Sequence, residues 1–269
     1  MPGASSRTGK RVAALAADEI QVLAGALAEA PAMPAGVHEA RKSIRRLRSL
    51  LALVRAPLGK AEVRPIDDAL QALAKGLSAL RDGQVVLDTA EHCARHAGDA
   101  DETASWEALT PLLVHQQEHR VAEALADDPG FVRRQAQAHR QAEQLRALPW
   151  HRLHANDLRH GLARSLHRQQ RAQEAALASG DIDDLHDLRR KSRRLRMQLN
   201  AMKRLRVSTH GVALASRDIA ELVDQLGALQ DLALLQRALG TLEPTPHAHA
   251  WPVATRRRMA RPSPIHPLA

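Results

Sequence analysis

The chain has 269 residues, with 39 Lys and Arg against 30 Asp and Glu, a net charge of +9 with histidine neutral. Hydrophobic residues make up 44% of it but aromatics only 1%, so a core must be built from Leu, Ala and Val, which favours packed helices over a β-sandwich. One cysteine, Cys93, excludes an internal disulfide framework, no apolar stretch approaches the roughly 18 residues of a membrane span, and the opening MPGASSRTGKR has no signal-peptide pattern, so a reducing, cytoplasmic setting without a membrane partner is expected.

Apolar residues recur at three- and four-residue steps almost throughout, the signature of amphipathic helices. In chain order this spacing predicts helices over 7–29, 37–55, 62–81, 83–97, 103–126, 131–147, 152–178, 183–205, 209–227 and 229–241. Pro31, Pro34 and Gly36 precede the second of these, and Asp127-Asp128-Pro129-Gly130 and Gly180-Asp181 mark other turns. No segment alternates as a strand does. The expected fold is all-α, with residues 1–242 as one domain of two halves, about 1–130 and 131–242. Residues 243–269 are rich in Pro, carry Arg256, Arg257, Arg258 and Arg261, lack apolar periodicity, and read as a disordered basic tail.

The positive charge is concentrated. VHEARKSIRRLR at 37–48 has five Lys or Arg and one Glu; LHDLRRKSRRLR at 185–196 has six and one Asp. Without these segments and the tail, the rest of the chain is mildly acidic. The two segments align without a gap at an offset of 148: His38 with His186, Arg41 with Arg189, Lys42 with Arg190, and Arg45, Arg46, Leu47 and Arg48 with Arg193, Arg194, Leu195 and Arg196. A Leu80-Arg81-Asp82 block and a Leu229-Gln230-Asp231 block follow them at nearly the same separation. Two matched blocks in one order indicate two similar helical halves.

On a helical wheel, His38, Arg41, Lys42, Arg45, Arg46 and Arg48 share one face, and Val37, Ile44, Leu47, Leu51 and Val54 the other. The second segment repeats this, with His186, Arg189, Arg190, Arg193, Arg194 and Arg196 opposite Leu185, Leu188, Leu195, Leu199 and Met202; Lys191 falls toward the apolar side. Like charges three and four residues apart repel. Unless carboxylates share the face, that cost points to an external anion. A row of cations at one-turn spacing suits a linear polyanion better than a small substrate, and Arg forks onto phosphate oxygens. A single such run would read as a solvated face; the matched pair argues against that.

The two His-x-x-Arg-(Lys/Arg)-x-x-Arg-Arg-Leu-Arg helices at His38 and His186, each followed by a Leu-x-x-Leu-(Arg/Gln)-Asp block, resemble the CHAD family, the conserved-histidine α-helical domain. The resemblance spans about residues 7–242. It implies two pseudo-symmetric antiparallel helical bundles whose basic helices line a shared central cavity that binds inorganic polyphosphate. Some members accompany polyphosphate granules, and many are fused to a β-tunnel domain; no segment here fits one, so a standalone member is expected. The resemblance further implies that His38, Arg41, Lys42, Arg45, Arg46, Arg48 and their partners from His186 to Arg196 hold the polymer. On this reading the protein is not an enzyme and needs neither cofactor nor metal.

A further stripe, His160, Arg164, His167, Arg168 and Arg171, extends this surface or is a solvated face. A nucleic-acid-binding helical protein is the second reading, although aromatic side chains for stacking single-stranded bases are nearly absent. A zinc-dependent hydrolase is the third: His115-x-x-Glu118-His119 matches a metallopeptidase pattern, with no third zinc ligand indicated beyond His92, Cys93 and His96. Asp82 and Asp231 either orient the basic helices or end helices. There is no Walker loop, dinucleotide turn or G-x-S-x-G elbow, and no acidic cluster for the Mg²⁺ of phosphoryl transfer.

Overall fold

The structure, a computed structural model, describes residues 6–209 and 216–242. The all-α expectation holds: the described residues form α1 (Arg7–Glu29), α2 (Pro34–Leu58), α3 (Lys60–Gly76), α4 (Ser78–Arg95), α5 (Ala100–Asp127), α6 (Val132–Ala147), α7 (Ala155–Ser179), α8 (Ile182–Arg204) and α9 (Ser216–Leu239), with single 3-10 turns at Pro129–Phe131 and Trp150–Arg152. No helix among them is long and apolar enough to cross a membrane. The part of the predicted 209–227 helix that covers 210–215, and the tail 243–269 with its four arginines, lie outside the described residues.

Local chemistry explains most of the boundaries. Ser6 caps α1, its Oγ accepting from Gly9 N–H at 2.9 Å, and Asp181 caps α8 by accepting from Asp183 N–H at 2.8 Å. Asp183 and Asp184 add negative charge to the first turn of α8, where the helix dipole favours it. Gly180 ends α7 in the left-handed region at φ 64°. Pro34 is not a breaker but the first residue of α2, where its missing N–H is not needed.

Two predicted boundaries are corrected. The break placed near Asp82 lies at Leu77, and Gly83 sits inside α4. A Cβ on Gly83 would meet Gln117 Oε1 at 1.7 Å, so this glycine makes room for the buried amide of Gln117, whose Nε2 donates to Leu80 O at 3.0 Å. The two last predicted helices are one, α9, running through Gly227.

The chain divides into two compact units, each drawing on both halves of the sequence. The first comprises residues up to Leu77 and Asp128–Leu226; the second comprises Ser78–Asp127 and the chain from Gly227. In the first, α2 is central: α1, α3, α7 and α8 all pack on it, α6 packs on α1 and α3, and α7 pairs with α8. The apolar faces read from the sequence are the ones that pack. Leu185 and Leu199 of α8 are half-buried, and Val37, Ile44, Leu47, Leu51 and Val54 of α2, with Leu188, Leu195 and Met202 of α8, are buried. Each such side chain contributes about 1.5–3 kcal/mol relative to remaining exposed. The second unit has its own core, in which Val86, Ala90 and Cys93 of α4 meet Trp106, Leu109 and Leu113 of α5 and Leu235 and Leu239 of α9.

Asp128 fixes the start of α6 in the first unit. It is 2% exposed, accepts from the backbone N–H of Arg133 (2.9 Å) and of Arg134 (3.3 Å), and pairs with Arg134 Nη1 at 2.7 Å. Burial pushes its carboxyl up, but the hydrogen bonds from Arg133 and Arg134 outweigh this and hold it below the ordinary aspartate range. The Arg134 guanidinium also lies over the Phe131 ring, 4.6 Å from its centroid. A group with a depressed folded-state pKa stabilises above its unfolded value, near 3.9, and loses that contribution as pH falls through the folded value. Asp128→Asn is therefore expected to lower stability at neutral pH by about 2–4 kcal/mol and to flatten the loss of stability below about pH 4, measured by urea unfolding across pH.

Candidate polyanion-binding site

The packing of the first unit brings both basic helices together. α2 and α8 meet directly: Ser49 Oγ lies 3.5 Å from Met197 Sδ, and Gln198 Nε2 donates to Ser49 O at 3.0 Å. Ser49 and Met197 are 148 residues apart, the offset of the sequence repeat, so the positions that directly follow the two segments touch. On α2, His38 is exposed and Arg41, Lys42, Arg45, Arg46 and Arg48 are half-buried; on α8, Arg190 is exposed and His186, Arg189, Arg193, Arg194 and Arg196 are half-buried. Shafts against the core with heads toward water are what long cationic side chains on an amphipathic helix do.

The sequence reading makes the external anion depend on how few carboxylates share these faces, and the structure places several there. Glu39 pairs with Lys42 at 3.3 Å and with Arg46 at 3.0 Å. Its equivalent in the second segment, Asp187, pairs with Arg190 and with Lys191. Arg48 pairs with Asp67 of α3 at 2.7 Å, and its equivalent Arg196 with Asp224 of α9 at 2.9 Å. Arg41 Nη1 donates to the Ala74 carbonyl at 2.6 Å. Burial pushes the Glu39 and Asp187 carboxyls up, yet the cations beside them win and hold both below the ordinary range.

One carboxylate lies deeper. Glu19 of α1 is 5% exposed and accepts from Ser43 Oγ at 3.2 Å, Arg46 Nη1 at 3.3 Å and Arg204 Nη1 at 2.7 Å, tying α1 to both basic helices. These groups edge a cavity of about 430 Å³ bounded by Leu15, Val22, Leu50, Met197, Asn200 and Ala201. Glu39 and Asp187 are legible in the sequence as an acid following each His. Glu19, Asp67 and Asp224 are brought in only by packing.

Arg194 differs from the other arginines of the two segments. Among the described residues it has neither a hydrogen bond nor a salt bridge. Burial first, then the charge of Arg48, holds its guanidinium below the ordinary arginine value; Asp67 opposes this, and Arg168 and Arg190 add to it. It stays cationic all the same. Arg168 comes from α7, so the charge of that part of the further stripe reaches α8; Arg164, Arg168 and Arg171 are all exposed on that helix.

The other candidates do not converge. His115, Glu118 and His119 are exposed on α5, where His119 Nδ1 lies 3.4 Å from Glu123 Oε1. His92 and His96 pack ring against ring at 4.3 Å, and Cys93 is buried in the core of the second unit. No group of three His, Cys, Asp or Glu among the described residues could hold a metal ion, which removes the basis of the zinc-hydrolase reading. Asp82 and Asp231 lie inside α4 and α9, not at helix ends.

Among the described residues, then, an all-helical fold packs two half-buried arginine helices against each other. A family model for the CHAD domain matches residues 8–240, and the chain belongs to the CHAD family. Its fold is similar to PptA from Streptomyces chartreusis (TM-score 0.70, 16% identity, 94% of each chain covered). It is also similar to the CHAD domain from the plant Ricinus communis (TM-score 0.58, 21% identity, 94% of this chain and 83% of that one). Comparison with curated proteins finds no match.

Proposed function

We propose that the protein binds inorganic polyphosphate, without catalysis, on the basic faces of α2 and α8, which line one shared cavity for the polymer. The observation that carries this reading is Arg194, half-buried, unpaired among the described residues, and reached by the charges of Arg48, Arg168 and Arg190 against the single acid Asp67. Like charges held partly out of water cost free energy, and a polyanion running past them recovers it. CHAD membership supports polyphosphate as the polymer, and an aromatic content of 1% disfavours stacking of single-stranded bases. His38, Arg41, Lys42, Arg45, Arg46 and Arg48 with His186, Arg189, Arg190, Arg193, Arg194 and Arg196 form the surface, and Arg164, Arg168 and Arg171 extend it. On the same reading the protein works in the cytoplasm, at polyphosphate granules.

The test is competition at about 150 mM salt, where weak polyelectrolyte binding is suppressed. Labelled long-chain polyphosphate is challenged with duplex DNA and with RNA at equal phosphate concentration. Polyphosphate is expected to resist displacement by either. Equal displacement by all would leave only a generic polyanion surface, and preference for DNA or RNA would replace the polymer by nucleic acid.

A further inference from the structure

Aligning the two basic segments residue by residue shows where they cease to match. Lys42 and Arg190 occupy equivalent positions, and each holds an equivalent acid, Glu39 or Asp187. Arg48 and Arg196 are equivalent, and each holds an aspartate from another helix. Arg46 and Arg194 are equivalent, and they differ completely. Arg46 Nη1 sits 3.0 Å from Glu39 and 3.3 Å from the buried Glu19, so its charge is met twice over within the protein. Arg194 meets no carboxylate at salt-bridge distance among the described residues; the charges of Arg48, Arg168 and Arg190 reach it, opposed by one acid, Asp67, which is already paired with Arg48.

The cause lies in the partner helix of each pair. In the α1–α2 pair the buried polar residue facing the basic helix is Glu19, which accepts from Ser43 Oγ. In the α7–α8 pair the buried polar residue of α7 that bonds to the basic helix is Gln169, 1% exposed, whose Nε2 donates to Ser192 Oγ at 3.4 Å. The carboxylate accepts from its serine while the amide donates to its own, and the amide brings no charge. α7 instead carries Arg168, which adds to the positive field at Arg194.

We infer that the two halves of the basic site are unequal: Arg194, with Arg190 of α8, Arg168 of α7 and Arg48 of α2 around it, is the primary seat for a phosphoryl group, and Arg46 is held in reserve by Glu19 and Glu39. The inference rests on the polyphosphate reading and gives that site a polarity. A phosphoryl group at Arg194 supplies charge the protein withholds there. One at Arg46 must displace a buried carboxylate that Arg204 also holds, at 2.7 Å.

Stability separates this from a general loss of positive charge. Arg194→Ala relieves repulsion and desolvation, whereas Arg46→Ala strips a cation from a buried acid. The experiment measures long-chain polyphosphate binding and thermal melting for the wild type, Arg194→Ala, Arg46→Ala and Glu19→Gln. Arg194→Ala is expected to weaken binding about tenfold or more and to melt at or above the wild type. Arg46→Ala is expected to weaken binding by less than about threefold and to melt below it. Glu19→Gln, nearly identical in shape, is expected to tighten binding as Arg46 and Arg204 are released; its melting curve reports whether it folds. Equal losses at Arg46 and Arg194, or a larger loss at Arg46, overturn the inference while leaving polyphosphate binding intact. A wild type that does not bind polyphosphate overturns the function and the inference together.

Discussion

Replacing Arg45 and Arg193 together by alanine is expected to lower the affinity for long-chain polyphosphate by about two orders of magnitude, on the order of tenfold for each guanidinium taken from the phosphate chain. The two residues are equivalent in the repeat, both are half-buried, and one stands on each basic helix, so the double change weakens both walls of the site at once. The salt dependence is the more telling reading. Polyanion binding releases counterions, and by analogy with single-stranded nucleic acid each neutralised phosphate contributes about 0.7 to the slope of log affinity against log salt. The double variant should flatten that slope by about 1.4. Replacing Arg256 and Arg257 in the tail by alanine removes the same formal charge and is expected to do much less. If the tail variant loses more than the Arg45/Arg193 variant, the site lies elsewhere; if the salt slope is unchanged, binding is not electrostatic.

The basic site is readable in the sequence where it depends on one helix and unreadable where it depends on several. The faces of α2 and α8, and the pairing of His38 to Arg48 with His186 to Arg196, follow from spacing and identity alone. Glu39 and Asp187 are equally visible, one residue after each His and three before the cation each holds. Glu19, Asp67 and Asp224 are not, since they lie 27, 19 and 28 residues from the arginines they meet and only packing brings them there. How many carboxylates meet these faces is therefore not legible in the sequence, and it matters, because the internal acids separate Arg46 from Arg194. Helix boundaries follow the same division. Caps and αL glycines mark the ends of α1, α7 and α8 locally. Gly83 and Gly227 look like breakers in sequence but lie within helices, and in the case of Gly83 the reason is Gln117, a residue of the next helix.

A methyl group at Gly161 tests whether the scaffold holds the arginine cluster in place. Gly161 lies on α7 where it crosses α2, and a Cβ there would sit 2.1 Å from the carbonyl oxygen of Leu53 and 3.1 Å from its Cδ1. Leu53 is fully buried, and its carbonyl belongs to the central helix, so neither side has room to give. Gly161→Ala gains about 1 kcal/mol of helix propensity, but the backbone clash exceeds this and Gly161→Val adds to it, so a net loss of about 3 kcal/mol is expected for the valine variant. For a chain of this size that corresponds to a fall in melting temperature on the order of 10 °C. Gly25 of α1 is the internal control, with nothing within 4 Å of its Cβ position, and Gly25→Ala should raise the melting temperature by a few degrees. The same displacement has a functional consequence. Pushing α7 off α2 moves Arg168 away from Arg48 and Arg194, so Gly161→Ala, if it folds, should weaken polyphosphate binding although it removes no charge. Were Gly161→Ala as stabilising as Gly25→Ala, the close approach of α7 to α2 would be wrong, and with it the route by which Arg168 reaches the site.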